Sequence, residues 1–208
     1  MRRAVPVVAG LALLAAGCAR PVGAEPLFVD GGSASSPAPP ARPPRVASGN
    51  GVHGPLGDVI DTGLPAAGGK KWVVVGVTGG AVDDSSPFGF AIGVRESDTV
   101  VTEYLTISEH QGSATAPGFH PMQGQMELDG GTEQPAFGYY VGTPATISVV
   151  DGGRPLAARL ARWSHDPAVI VFWFDPAQVR DPTTWSGLGA YDAGGKRLPD
   201  GHIELFTY

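Results

Sequence analysis

The sequence predicts an all-β protein, an antiparallel β-sandwich (Ig-like or similar) of about ten short strands preceded by a disordered tether. From Val52 onward no helical period is sustained, and the apolar residues come in short runs divided by turn residues. Three of those divisions are Asp129-Gly130-Gly131, Asp151-Gly152-Gly153 and Asp192-Ala193-Gly194-Gly195. Asp followed closely by Gly supplies the positive φ angles of tight hairpins, so consecutive strands should run antiparallel.

The amino end is built differently. Arg2 and Arg3 precede an apolar stretch from Ala4 to Ala16, interrupted by Pro6 and Gly10. Those thirteen residues fall short of the roughly 20 that span a bilayer as a helix, which marks an export signal. The stretch ends in Leu14-Ala15-Ala16-Gly17-Cys18, and Cys18 is the only cysteine. This segment resembles a bacterial lipoprotein precursor, in which a lipobox closes on the cysteine that receives diacylglycerol. Ala15 stands where leucine is usual. The resemblance implies a signal peptide at 1–17, a Cys18 carrying at least two acyl chains, and stable attachment to the extracytoplasmic face of the cell membrane. An ordinary secretory signal cleaved after Val22-Gly23-Ala24 is the alternative.

Residues 18–51 read as a spacer. Positions 19–51 hold twelve of the protein's 31 glycines and 20 prolines, with only Leu27, Phe28 and a few valines to bury. Such composition cannot offset its own ordering entropy. Pro39-Pro40 and Pro43-Pro44 stiffen it beyond the roughly 30 Å reach of a Gly/Ser coil of that length. Abundant Ala, Gly and Pro, a single asparagine (Asn50) and three lysines are similar to exported lipoproteins of actinobacteria with GC-rich genomes. That resemblance covers the signal, lipobox and spacer and does not extend to the folded body, expected at 52–208.

The body has no thiol, which excludes a disulfide framework and a cysteine metal site. Loss of Arg2 and Arg3 with the signal leaves 12 basic against 20 acidic side chains, a formal charge of −8. An acidic chain without a basic stripe lacks the footprint of a nucleic-acid binder.

Strands are expected at 72–78, 87–95, 99–107, 122–128, 136–142, 145–150, 156–163, 168–174, 187–192 and 202–207. Phe88, Phe90 and Ile92 share one face of theirs. Ala168 to Phe174 is apolar on both alternating sets, as for a strand covered on both sides. Asp175-Pro176 should cap a short helical turn through Val179.

Catalytic motifs are incomplete. Ser164-His165-Asp166 has the residue types of a triad, but neighbours on an extended chain point apart, and Pro167 makes a turn the better reading. Gly63 to Lys71 resembles a phosphate loop superficially; it leads into a strand and lacks the Ser or Thr after lysine. His53, His110, His120, His165 and His202 form no metal-binding spacing, and Asp83-Asp84-Ser85-Ser86 is not a calcium loop. No cofactor or metal is expected.

Two sets of side chains remain as candidates. Trp163, Trp173, Trp185 and Tyr191 lie close in sequence and would form a stacking platform for a glycan or a partner protein if exposed, or core if buried. Glu103, Glu109, His110 and His120 would serve a hydrolase if strands brought them together; Glu109-His110 and His120 bracket a loop that folding back would close. The leading expectation is a non-catalytic, lipid-anchored module that binds an envelope protein or glycan. The alternative is an envelope hydrolase.

Overall fold

The computed structural model describes residues 44–48, 51–78, 86–128 and 131–206, with the backbone alone at 48, 51–53, 103–106 and 206. The expected signal peptide, Cys18, the spacer through 43, Asp83-Asp84-Ser85, Asp129 and Gly130 lie outside the described residues, as do the His53 and Glu103 side chains. The described chain belongs to one compact unit, Ala41–Tyr208.

The protein is an all-β antiparallel sandwich, with sixteen strands among the described residues. A six-stranded sheet is built from β1 (Arg45–Ser48), β2 (Gly51–His53), β3 (Leu56–Pro65), β4 (Lys71–Thr78), β5 (Phe88–Glu96) and β6 (Thr99–Ser108), in the order β2-β1-β6-β5-β4-β3. All its pairings are antiparallel except β1 with β6. β7 (Gly118–Gln123), β10 (Phe137–Val141), β13 (Arg159–Arg162), β14 (Val169–Trp173) and β16 (Leu205–Phe206) form a second sheet, ordered β13-β14-β10-β7-β16. β11 (Thr146–Asp151), β12 (Arg154–Ala157) and β15 (Ser186–Tyr191) make a third, and β8 (Met126–Leu128) pairs with β9 (Thr132–Gln134) as a hairpin.

The strand count exceeds the expected ten for a physical reason. β1, β2, β3 and β9 are short, bulged or polar on one side and give little apolar periodicity, while the runs expected as single strands at 122–128 and 156–163 are each divided in two, at Gly124-Gln125 and at Ala158. β1 also corrects the domain start, because Arg45–Ser48 falls in the stretch whose composition reads as spacer. Its ladder to β6 and the burial of Val46 place it in the sheet.

The six-stranded sheet cannot be flat. β2 and β3 lie at opposite edges, about 24 Å apart across five strand spacings, yet only Gly54 and Pro55 connect them. Two linking residues reach about 10 Å, so the sheet curls until its edges approach. The inner face of the curl is correspondingly small: Val46, Val73, Val75, Ala91 and Val100 form a core with Val59 and Val77 packed on it. Gly93 follows the same logic, since a Cβ there would lie 2.7 Å from the Val101 carbonyl oxygen.

Large side chains point the other way. Trp72, Val74, Phe88, Phe90, Ile92 and Ile107 meet Phe137, Tyr139, Val141, Val169, Val171 and Trp173 of the second sheet. The opposite face of that sheet buries Phe119, Met122, Tyr140, Phe172 and Phe174 against Ile147, Val149, Leu156 and Ala190. β14 is therefore covered on both sides, as its two apolar sets predict. β12 and β13 are one bent run through Ala158, whose N–H donates to Ile147 O, and it passes from the third sheet to the second. The Asp151-Gly152-Gly153 hairpin forms as expected, with φ of 55° and 80° at its glycines. Asp175 caps the turn Pro176–Gln178 through its carboxylate and Ala177 N.

Edge strand β3 is tied to the second sheet by side chains. Trp163 Nε1 donates to Leu56 O at 2.9 Å, and Trp173 Nε1 to Thr62 O at 3.2 Å. Arg159 Nη1 also reaches Thr62 O, and Asp58 N donates to Ser164 Oγ at 2.6 Å. Gly57, at φ +77°, and Gly76 leave room for the Trp163 indole; a Cβ on Gly76 would lie 2.5 Å from Leu56 O and 2.7 Å from Trp163 Cζ2.

Trp163→Phe keeps most of the ring but strands the Leu56 carbonyl, and should lower unfolding free energy by about 1–3 kcal/mol. Gly76→Ala should cost a similar amount by overpacking, about 1–3 kcal/mol. Urea denaturation of both variants checks this, and wild-type midpoints would contradict the role given to the indole.

Candidate functional site

The tryptophans expected to offer a platform do not form one. Trp163 is 0% exposed and Trp173 4%, both in the core between the first two sheets, with their ring nitrogens committed to β3. Trp163 lies 4.9 Å from both Phe88 and Phe90. Trp185, half-buried, belongs to the other core, 4.8 Å from Phe174. Tyr191, also half-buried, has the Arg197 guanidinium 6.0 Å over its ring. Folding divides the four among separate surroundings because large aromatic rings bury most surface where two sheets meet.

The carboxylate and imidazole candidates are partly brought together. Glu109 follows β6, His120 lies in β7, and the intervening loop folds back so that His120 Nδ1 meets Glu109 Oε2 at 2.9 Å. Both side chains are almost fully buried. Glu109 Oε1 accepts from Gln111 N at 2.8 Å and faces His202 Nδ1 at 3.5 Å. His120 Nε2 meets Ala116 O at 2.9 Å, and its ring stacks on Tyr139 at 4.4 Å. His110 is exposed and its Nε2 lies 3.3 Å from Glu204 Oε2, apart from the buried pair. His165 is exposed beside Trp163.

This arrangement fixes the loop between β6 and β7 and occupies the His120 ring. A carbonyl only accepts, so His120 Nε2 carries a hydrogen; Nδ1 faces a carboxylate oxygen, so a proton lies between them. Both imidazole nitrogens are thus engaged. Burial pushes the Glu109 carboxyl up, but the Gln111 N–H, the His120 hydrogen bond and the charges of His120 and His202 outweigh it, holding the carboxyl below its usual range. Burial and the Glu109 charge push the Tyr139 hydroxyl above the ordinary phenol range. No three His, Cys, Asp or Glu side chains among the described residues are grouped to hold a metal ion.

A second site was not anticipated from the sequence. A cleft of about 390 Å³ opens where the first core reaches solvent beside the β8–β9 hairpin. Leu64 and Pro65 of β3, Trp72 of β4, and Pro176 and Ala177 of the turn after β14 line it, together with Glu127, Glu133 and Asp175. Glu127 and Glu133 are direct cross-strand partners in the hairpin. Asp175 is held by Arg159 at 2.9 Å. The hint in the sequence was symmetry: Glu127 and Glu133 stand two residues before and after Asp129-Gly130-Gly131, the positions a three-residue hairpin loop sets opposite.

Comparison with protein-family models, with curated proteins and with solved structures finds no match to the chain in any of the three.

The Glu109 geometry makes a pH prediction. Stabilisation from a lowered carboxyl is complete above the unfolded value, about 4.3, and is lost as pH falls through the lower folded value. The stability gap between wild type and Glu109→Gln, read by urea denaturation, should be constant near neutrality and shrink in acid. His120→Ala, which leaves a buried carboxylate without its partner, should cost about 3–5 kcal/mol at neutral pH.

Proposed function

We propose that the protein is an exported lipoprotein, held through acylated Cys18 on the extracytoplasmic face of the cell membrane, whose β-sandwich binds an envelope partner and catalyses no reaction. The observation that carries this reading is the sequence from Arg2 to Cys18: paired arginines, an apolar stretch too short to span, and small residues leading to the sole cysteine. Among the described residues, no helix is long and apolar enough to cross a membrane.

The non-catalytic half of the reading is supported by the state of the candidate residues. Glu109 and His120 are buried and bonded to each other and to the backbone, and His110 lies with Glu204 outside that pair. Of the two partner classes, a protein is favoured over a glycan, because Trp163 and Trp173 are enclosed and offer no ring face for a sugar to stack on.

Metabolic labelling with an alkyne fatty acid, followed by mass spectrometry of the new amino terminus, tests the anchor. Wild type should carry label on a chain beginning at Cys18 and sediment with membranes, while Cys18→Ala should be unlabelled and leave the membrane fraction. An unlabelled wild-type chain beginning at Glu25 would establish ordinary secretion instead.

A further inference from the structure

We propose that residues 199–206 form an exchangeable strap: it opens as a unit while the sandwich stays folded, and the β7 edge beneath it takes up the same segment of a second copy of this chain. The inference goes beyond the function proposed above and does not rest on it. Two features carry it: the strap adds nothing to the core, and its seat is shaped to one sequence pattern.

The strap lies at the surface. It follows Arg197 and Leu198, which are bound to β15 through Leu188 O and Ala190 O, and runs parallel to β7 along the edge of the second sheet. None of residues 199–205 is buried or belongs to a core, and Ile203 and Leu205 are 42% and 40% exposed. Backbone bonds hold it in place. Among them, Phe119 N donates to Asp200 O at 3.0 Å, His202 N to Phe119 O at 2.9 Å and Met122 N to Glu204 O at 2.8 Å. Tyr140 Oη donates to Pro199 O at 3.0 Å. A segment held by surface hydrogen bonds, with no buried side chain, belongs to the low end of local opening free energies. β7 keeps its antiparallel pairing with β10 when the strap leaves.

The seat is selective. All six residues of β7 are buried, and an uncovered sheet edge is a template for another strand. Gly118 and Gly201 cross in contact: a Cβ on Gly201 would lie 2.5 Å from Phe119 O, and one on Gly118 would meet the Gly201 backbone. Two imidazole–carboxylate pairs of reciprocal order follow. Glu109 Oε1 faces His202 Nδ1 at 3.5 Å, and His110 Nε2 faces Glu204 Oε2 at 3.3 Å. A strand filling the seat therefore needs a glycine, an imidazole next to it and a carboxylate two positions later. Gly201-His202-Ile203-Glu204 carries that pattern, so a second copy of the chain brings a segment that fits. Exchange between copies remakes the contacts already made within one, which is why it is a low-cost route to a dimer. Only Pro199 and Asp200 separate the β15 attachment from the Gly201 crossing, and a hinge that short favours exchange.

The test uses the full chain in detergent micelles. Native-state hydrogen exchange should show the Phe119, Met122 and His202 amides exchanging faster than those of the β10–β14 ladder, through an opening insensitive to low urea. Glu204→Gln should speed that exchange by roughly twofold to fivefold. A synthetic peptide of residues 198–208 stands for the strap of a second copy. With a nitroxide at its Ile203 position it should broaden the Phe119 and Met122 amide resonances saturably, and the same peptide with Gly201→Ala should not. Sedimentation at rising protein concentration should show a dimer that excess peptide returns to monomer. The proposal is overturned by any of five results: strap amides that exchange only with global unfolding, no effect of Glu204→Gln, no broadening by the peptide, equal binding of its Gly201→Ala form, or a chain monomeric at every concentration. Because acylation is read at Cys18 and exchange at β7, either proposal can fail while the other stands.

Discussion

Two indole N–H groups tie the edge strand β3 to the sheet packed against it. β3 is an edge strand, and an edge presents backbone carbonyls that need partners. Trp163 and Trp173 supply them from the opposite sheet, at Leu56 and Thr62. Each ring also fills the core it crosses, so one side chain satisfies a polar group and buries apolar area together. The backbone accommodates this with glycine at 57 and 76, where any side chain would strike the Trp163 indole or the residues beside it.

The curl of the six-stranded sheet follows from the same stretch of chain. A run from Gly51 to Pro65 pairs first with β1 and then with β4, and so draws two edges of one sheet toward each other. Small residues fill the concave side and aromatic ones the convex side, an asymmetry visible in β5, where Phe88, Phe90 and Ile92 alternate with Gly89, Ala91 and Gly93. The second sheet, covered on both faces, is the middle layer between two cores. Where the first core ends, beside the β8–β9 hairpin, the acidic cleft opens.

Ionisable groups are used in two ways. Glu109 and His120 form a buried, charge-balanced clasp that closes the loop between β6 and β7, and Asp151 similarly accepts from Arg180 N and Asp181 N to hold the segment after β14. These carboxylates have their hydrogen-bonding capacity met inside the fold. Glu127 and Glu133 do not, and they sit at the surface of a chain that already carries excess acid. The contrast separates carboxylates bonded within the fold from a cross-strand pair left facing solvent.

Much of the architecture was legible in local pattern. The all-β class, the Asp151-Gly152-Gly153 hairpin, the doubly covered β14 and the capped turn at Asp175 depend on neighbours in sequence, and periodicity of two or a turn residue reports them directly. Local pattern does not report which rings meet, because Trp163 and Trp173 find their acceptors more than a hundred positions away in β3. For the same reason the sequence brought Glu109 and His120 within reach of one another but left their state undecided. Sequence alone thus determined the class of fold and the chemistry available. Tertiary structure decided which side chains are enclosed and which face solvent, since burial depends on sheets that pack only after distant strands have paired.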